Sequence, residues 1–324
     1  MLLDTSCTPD LMAPDTVSMG SLAQAWAKRY IQNLDSATKK EDDPTVVSQN
    51  LLAELRNASV QAWQRTEGFL SQEMIRHGIA SELVDPWEIS KDIHATYQKT
   101  LHLYRDGQDV RRLAVKLGPA IGDIRRKYTA TDPRVIGFVS MQFHHTGLFL
   151  LQSAPASQKD IVANYFKVID DHLYMPLHRA YDAAAEQDYD SPALKLVRHL
   201  LPQSTEIARS ICQRVIELYP RHRCYSGPLS QPSVRTSSIR DVEMFQIYLW
   251  VCLLEQKLDA LQDELFPLCL MLYPSLNVNW ELVYQMVHLM GKEFQERSPE
   301  LDTRVLAPYY NALRQIFDPK IFQG

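Results

Sequence analysis

A chain of 324 residues with 45% apolar and 23% charged residues has the size and composition of an ordinary globular protein. Its 11 glycines are about half of the usual share of roughly 7%, and few glycines mean few tight turns, which disfavours sheet-rich folds of this length. The net charge of −5 lacks the basic balance that is typical of nucleic-acid-binding proteins.

The cysteines show neither a C-x-x-C pair nor the spacing of a zinc site. They are Cys7, Cys212, Cys224, Cys252 and Cys269. An odd number of cysteines, some of them inside apolar runs, indicates reduced thiols and predicts a cytoplasmic protein. The longest charge-free apolar runs, 247–254 and 266–273, are far shorter than the ~20 residues that span a bilayer, so no membrane span is predicted.

The first 18 residues have neither a positive charge nor an apolar run. They therefore lack the features of a secretory or mitochondrial presequence. They also show no helical periodicity. We predict that 1–18 is a disordered tail, and Met19 is a second candidate for the start of translation.

Apolar residues at helical spacing, bounded by cap residues, predict a succession of helices. The first has apolar residues at every fourth position of 22–34. Asp43, followed by proline, caps the second helix, which is predicted to end at Gly78. Asp85, again followed by proline, caps the third, which is predicted to end at Gly107.

The pattern further along the chain is less regular. A basic helix over 111–127 is predicted to break at 118–119, a Gly-Pro pair. Residues 220–237 hold three prolines and no helical period, which predicts a long loop. Ser238 is then predicted to cap a helix that is apolar nearly all round as far as Leu254, and such a helix is expected in the core.

No alternating apolar–polar run predicts a strand, and no repeat of 33–47 residues indicates a solenoid. The sequence therefore predicts an all-α fold of ten or eleven helices in a compact bundle without a significant sheet. Residues 19–324 are predicted to form one domain, with a candidate internal boundary at 153–157. We expect Trp250, Leu253 and Leu254 among the most buried residues.

The motifs of familiar enzymes are absent from the sequence. It contains no G-x-x-x-x-G-K-[ST], G-x-G-x-x-G, G-x-S-x-G or H-E-x-x-H. None of the ten histidines follows an acid by three residues, so the Glu-x-x-His pairs of di-iron bundles are also absent. The sequence leaves enzymatic activity open, favours a non-enzymatic protein, and predicts neither a metal nor a cofactor.

Residues 220–240 form a basic segment with four arginines and no acid. Arginines beside a helix N-terminus bind phosphate or carboxylate groups, because the unpaired N–H groups and the dipole make that end positive. The candidates for a ligand or partner site are Arg221, Arg223, Arg235, Ser238 and Arg240. The structural alternative is that these arginines pair with 241–324, where twelve acids face six bases.

Histidines and aspartates on two apolar helices form a second candidate site. His144 and His145 lie in the helix predicted at 133–152, and Asp171 and His172 lie in the next. Antiparallel pairing would bring these groups together in the interior, where they could ligate a metal or a tetrapyrrole or carry protons. The alternative is that each makes a separate buried hydrogen bond, since adjacent helical residues point about 100° apart.

Three stretches resemble a family of uncharacterised all-helical cyanobacterial proteins. They are DPRVIGFVSMQFHHTG at 132–147, DDHLYMPLHRAYDAAA at 170–185 and SSIRDVEMFQIYLWVCLLE at 237–255. The resemblance covers most of the chain from about residue 19. It implies the cytosol of a photosynthetic bacterium, where regulatory and assembly adaptors are plentiful, and it transfers no active-site residue.

These observations favour a non-enzymatic regulator or assembly adaptor that acts by binding another protein. The segregation of basic and acidic segments suits electrostatic recognition of such a partner. The alternative is a small-molecule sensor that binds a phosphorylated or other anionic ligand at 220–240, or a tetrapyrrole between the histidine-bearing helices. The sequence leaves a homo-oligomer open and does not favour nucleic acid as a partner.

Overall fold

The computed structural model describes residues 43–322, in which α-helices are the dominant structure. In chain order the helices are α1 (Pro44–Arg76), α2 (Pro86–Arg105), α3 (Leu113–Thr129), α4 (Val135–Ser153), α5 (Ala156–Tyr174), α6 (Leu177–Ala185), α7 (Pro192–Leu200), α8 (Ser204–Leu218), α9 (Pro232–Glu255), α10 (Phe266–Ser275), α11 (Trp280–Arg297) and α12 (Ala307–Ile316). Within 43–322 the only sheet is a hairpin of β1 (Arg223–Cys224) and β2 (Gly227–Pro228). The all-α prediction is confirmed.

Parts of the sequence predictions fall outside the described range. These are the tail at 1–18, the helix at 22–34 and the first part of the domain predicted from residue 19. Within 43–322, no helix has the length and the hydropathy needed to cross a membrane. Helices α4 and α5, on the two sides of 153–157, pack against each other and contribute to one connected core.

The predicted ends of α1 and α2 agree with the structure. The Asp43 carboxylate accepts a hydrogen bond from the Thr45 N–H at 2.8 Å, and Asp85 accepts one from the Trp87 N–H at 2.8 Å. Gly78 and Gly107 follow α1 and α2 with φ of 66° and 63°. Glycine adopts this left-handed conformation without the steric cost that a Cβ imposes, so these positions end helices readily.

The predicted break at 118–119 is wrong, because α3 runs without interruption through Pro119. Gly118 and Gly122 lie one turn apart on the face of α3 that packs against His172 and His178. A Cβ on Gly118 would lie 3.3 Å from His172 Nε2. The two glycines therefore admit imidazole rings at close range, and this packing favours an unbroken helix despite the proline.

Helix α9 occupies the centre of the core, as its apolar sequence predicted. All residues from Val242 to Leu254 are buried, whichever side of the helix they lie on. Trp250, Leu253 and Leu254 are at most 2% exposed, which confirms the expectation for them. Helices α6 and α8 pack directly on α9, and α11 packs on α8.

We expect Gly122→Ala and Gly68→Ala to change stability in opposite directions. A Cβ at Gly122 would lie 2.6 Å from the His178 side chain, so Gly122→Ala should lower the free energy of unfolding by about 1–3 kcal/mol. Gly68 lies on the exposed side of α1 with nothing within 4 Å of such a Cβ. Gly68→Ala should therefore raise the free energy by about 0.5–1 kcal/mol. Urea denaturation measures both, and equal effects would contradict the packing of α3.

Candidate functional site

The basic segment at 220–240 is only partly a loop. Its first half forms the β1–β2 hairpin, in which Cys224 pairs with Gly227. The hairpin is attached to the turn between α10 and α11, where the Tyr225 N–H donates to the Leu276 carbonyl at 2.8 Å. His222 Nε2 lies 3.0 Å from the Asn277 carbonyl oxygen in the same turn. The hairpin is thereby fixed to the body of the protein.

The second half of the segment is helical, so the predicted helix start at Ser238 is wrong. Helix α9 begins six residues earlier, at Pro232. The proline ring holds φ in the helical range and removes an N–H that would have no partner there, which makes Pro232 a favourable first residue. Arg235 consequently lies in the first turn, while Ser238 and Arg240 lie further along the helix.

Three of the candidate arginines are exposed and have no ion pair within 43–322. The side chains of Arg221, Arg223 and Arg235 are open to solvent. Among residues 43–322, no carboxylate lies within 4 Å of any of them, since every ion pair found there involves other bases. None of the acids described in 241–322 therefore forms an ion pair with these arginines. We call Arg221, Arg223 and Arg235 together the basic surface.

An apolar pocket of about 50 Å³ opens beside the basic surface. Helices α8, α9 and α11 form most of its walls, with contributions from the hairpin, from the end of α10 and from the turn that follows α10. Arg235 and Ser238 line it together with Asp241 and two thiols, Cys212 and Cys224. Burial raises the pKa of Cys212 to about 12, so this thiol stays neutral and belongs to the apolar wall.

Arg240 is separated from the basic surface by its position on α9. Its guanidinium stacks on the Tyr174 ring at 4.5 Å, and its Nε is buried without a hydrogen-bond partner. The Tyr174 hydroxyl donates to Asp241 at 2.8 Å. Burial raises the pKa of Asp241, although the adjacent Arg240 charge opposes that shift. Arg240 thus lies in a partly buried polar cluster rather than among the solvent-facing arginines.

The histidine-bearing helices do pack against each other, but their polar side chains have separate partners. His144 Nδ1 lies 2.7 Å from Asp170, a residue adjacent to the predicted Asp171. Asp171 instead accepts a hydrogen bond from Lys167 at 2.7 Å. His145 Nδ1 lies 3.0 Å from the Thr66 hydroxyl.

His172 also has a partner of its own, since its Nδ1 donates to the Val168 carbonyl at 2.8 Å within the same helix. Among the described residues, no three His, Cys, Asp or Glu side chains are arranged to hold a metal ion. These separate hydrogen bonds agree with the alternative in which each of these side chains has its own partner and the set forms no common site.

A buried ionic network is the feature that the sequence analysis missed. Arg125 Nη2 donates to Tyr248 at 2.6 Å and to Glu264 at 3.1 Å, and Arg125 Nη1 donates to the carbonyl that ends α5. Arg179 pairs with Glu264 and, through two bonds of 2.7 Å, with Glu255. Glu264 lies in the π-helical segment Ala260–Leu265.

The network joins α3, α6, α9 and this π-helical segment. One signal for it existed in the sequence. Arg125 occupies the same face of α3 as the buried residues Leu117 and Ile121, and a charge at a core-facing position implies a buried partner.

Adjacent arginines on α3 provide a test of this network. Arg125→Met leaves Tyr248 without its guanidinium donor and Glu264 with Arg179 as its remaining charged partner, and it should lower the free energy of unfolding by about 3 kcal/mol. Arg126→Met is the matched control, because Arg126 is 60% exposed and pairs with the exposed Asp123. Its effect should stay below about 1 kcal/mol. Thermal and urea denaturation measure both, and similar losses would mean that Arg125 is no more important than a surface arginine.

Two buried histidines should make the protein less stable in mild acid. Burial lowers the pKa of both His145 and His172 to about 4, and for His145 the Arg65 charge adds to the effect. Between about pH 6.5 and 4 the unfolded chain therefore binds protons that the folded chain does not. The stability that these two neutral histidines contribute to the fold is complete above about pH 6.5 and is lost as the pH falls towards 4.

Each of these histidines should contribute a loss of about 2 kcal/mol between pH 7 and pH 5. Urea denaturation at the two pH values measures the change. His172→Asn should lose its share of this pH dependence, whatever its effect at pH 7. An unchanged pH dependence in that variant would contradict the lowered pKa of His172.

Comparison of the chain with protein-family models, with curated proteins and with solved structures finds no match. The cyanobacterial resemblance therefore stays a prediction, and the functional argument depends on the geometry of the described residues.

Proposed function

We propose that this protein is a non-enzymatic adaptor or regulator that binds an acidic segment of a partner protein on its basic surface. The observation that carries the proposal is the exposure of Arg221, Arg223 and Arg235 without a carboxylate within 4 Å in 43–322. Exposed like charges without acids in the same segment attract an oppositely charged partner and accelerate its association.

Several exposed arginines elsewhere have local partners, whereas four others, Arg56, Arg65, Arg112 and Arg198, are exposed without an ion pair within 43–322. Arg76, Arg111 and Arg304 each pair with an acid two or three residues away, at 3.2, 2.6 and 2.8 Å. The basic surface differs because the segment 220–240 contains no acid at all. Its positive charge is therefore available to another molecule, and a carboxylate is a bidentate match for each guanidinium.

The sensor alternative has less support. Pockets for drug-sized ligands and cofactors measure about 300–1,000 Å³, whereas the pocket beside the basic surface measures about 50 Å³. A histidine can ligate a tetrapyrrole metal through Nε2 while its Nδ1 is hydrogen-bonded, and His172 Nε2 has no hydrogen-bond partner. That nitrogen packs so closely on α3, however, that even a Cβ on Gly118 would lie 3.3 Å from it, which leaves no space there for a macrocycle. A partner protein, which needs a surface rather than a deep cavity, suits the geometry better.

The setting that we propose is the cytoplasm of a photosynthetic bacterium. Cys212, Cys252 and Cys269 are buried free thiols, as is usual for proteins of a reducing compartment. The source organism is proposed on the resemblance of 132–147, 170–185 and 237–255 alone. Self-association remains compatible with this function, since an adaptor can act as a monomer or an oligomer.

A double substitution tests the proposal. A fluorescein-labelled decapeptide of glutamates around one central alanine should bind at low ionic strength, and Arg221→Ala with Arg235→Ala should weaken that binding about tenfold or more. Thermal stability should stay nearly unchanged, because neither arginine has an ion pair to lose among residues 43–322. Fluorescence polarisation measures the binding.

The matched control is Arg111→Ala with Arg304→Ala, which changes the net charge equally at two other exposed positions. If both double variants lose affinity equally, net charge rather than the basic surface governs binding. Absence of binding to the wild-type protein at low salt contradicts the proposed function itself.

A further inference from the structure

The pocket beside the basic surface has the chemistry of a site for one aliphatic side chain. Its walls consist mainly of aliphatic residues from three helices and from the hairpin. These are Ile211, Val215, Ile216, Leu229, Val242, Val278, Leu282, Val283 and Met286. Water in such a space would find few hydrogen-bond partners, so an apolar group that fills it gains the free energy of leaving water.

The volume restricts what can enter. About 50 Å³ has room for about four water-sized groups, given that each needs roughly 10–15 Å³. Four heavy atoms correspond to the side chain of leucine, isoleucine or methionine. A membrane lipid's acyl chain is several times longer than this pocket can hold, and RNA has no aliphatic group to place in it.

The position of Arg235 links the pocket to the basic surface. Arg235 belongs to the exposed, unpaired arginines and also lines the pocket, together with Ser238. A segment whose aliphatic side chain enters the pocket therefore passes its neighbouring residues beside a guanidinium. Acids at those neighbouring positions complement the charge there.

We infer that the partner segment is amphipathic, with acidic residues on both sides of one aliphatic side chain that enters this pocket. The inference rests on the proposed function, because it specifies the partner of the same surface. The arginines provide the electrostatic attraction, and the pocket selects among acidic segments by the side chain that they insert.

Two matched peptides test the inference. One is the glutamate decapeptide with its central alanine, and the other carries leucine at that position. The leucine peptide should bind the wild-type protein at least about tenfold more tightly, because leucine has three more side-chain carbon atoms to bury than alanine has. Fluorescence polarisation at low and at moderate salt measures both affinities.

Variants that fill the pocket should remove the difference between the peptides. Leu282→Trp places a large ring in the pocket from a partly exposed position on α11, and Ile216→Trp does so from α8. Each variant should keep the affinity for the alanine peptide and lose the leucine advantage. The second variant serves if the first fails to fold, as judged by circular dichroism.

The outcomes separate the inference from the proposed function. Equal affinity of the wild-type protein for the two peptides overturns the inference and leaves the proposed function standing. An undiminished leucine advantage in the filled variants also overturns it. Binding of anionic vesicles or of oligouridylate RNA more tightly than of the leucine peptide, with loss in the Arg221→Ala and Arg235→Ala variant, would replace the protein partner by that class of molecule.

Discussion

The burial of α9 on all of its sides is the constraint on which the rest of the structure depends. Its thirteen residues from Val242 to Leu254 leave no face for solvent, so other helices must surround it. The first ten residues of the same helix, from Pro232 to Asp241, are mostly outside the core. A rigid helix therefore carries Arg235 and Ser238 to a fixed place on the surface, next to the hairpin and to the mouth of the pocket.

The charges of the protein are sorted into two kinds of environment. Arg125 and Arg179 are held among helices by Glu255 and Glu264, where their carboxylate partners are indispensable. The basic surface has no such partners within 43–322. Charges of the first kind fix the arrangement of helices, while those of the second kind are available for recognition, and the functional proposal depends on this difference.

Local signals in the sequence predicted the fold class and several helix ends, because an aspartate cap or a left-handed glycine acts within one turn of the chain. The start of α9 was missed because Pro232, a good first helical residue, lay inside a stretch with no apolar period. The predicted set named Asp171, whereas His144 contacts the adjacent Asp170, since only packing decides which of the two aspartates faces α4. The pocket has no local signature, and the core-facing position of Arg125 signals a buried charge without naming its partners, because both features are assembled from elements far apart in the chain.

Selection from a random peptide library displayed on phage, without any assumption about the partner, tests the central claim most directly. The wild-type protein is the bait, and the Arg221→Ala and Arg235→Ala variant removes peptides that bind elsewhere. The account predicts enrichment of peptides with acidic residues on both sides of one leucine, isoleucine or methionine. Enrichment of basic or neutral peptides would contradict it. So would acidic peptides that are enriched no more strongly on the wild-type protein than on the variant.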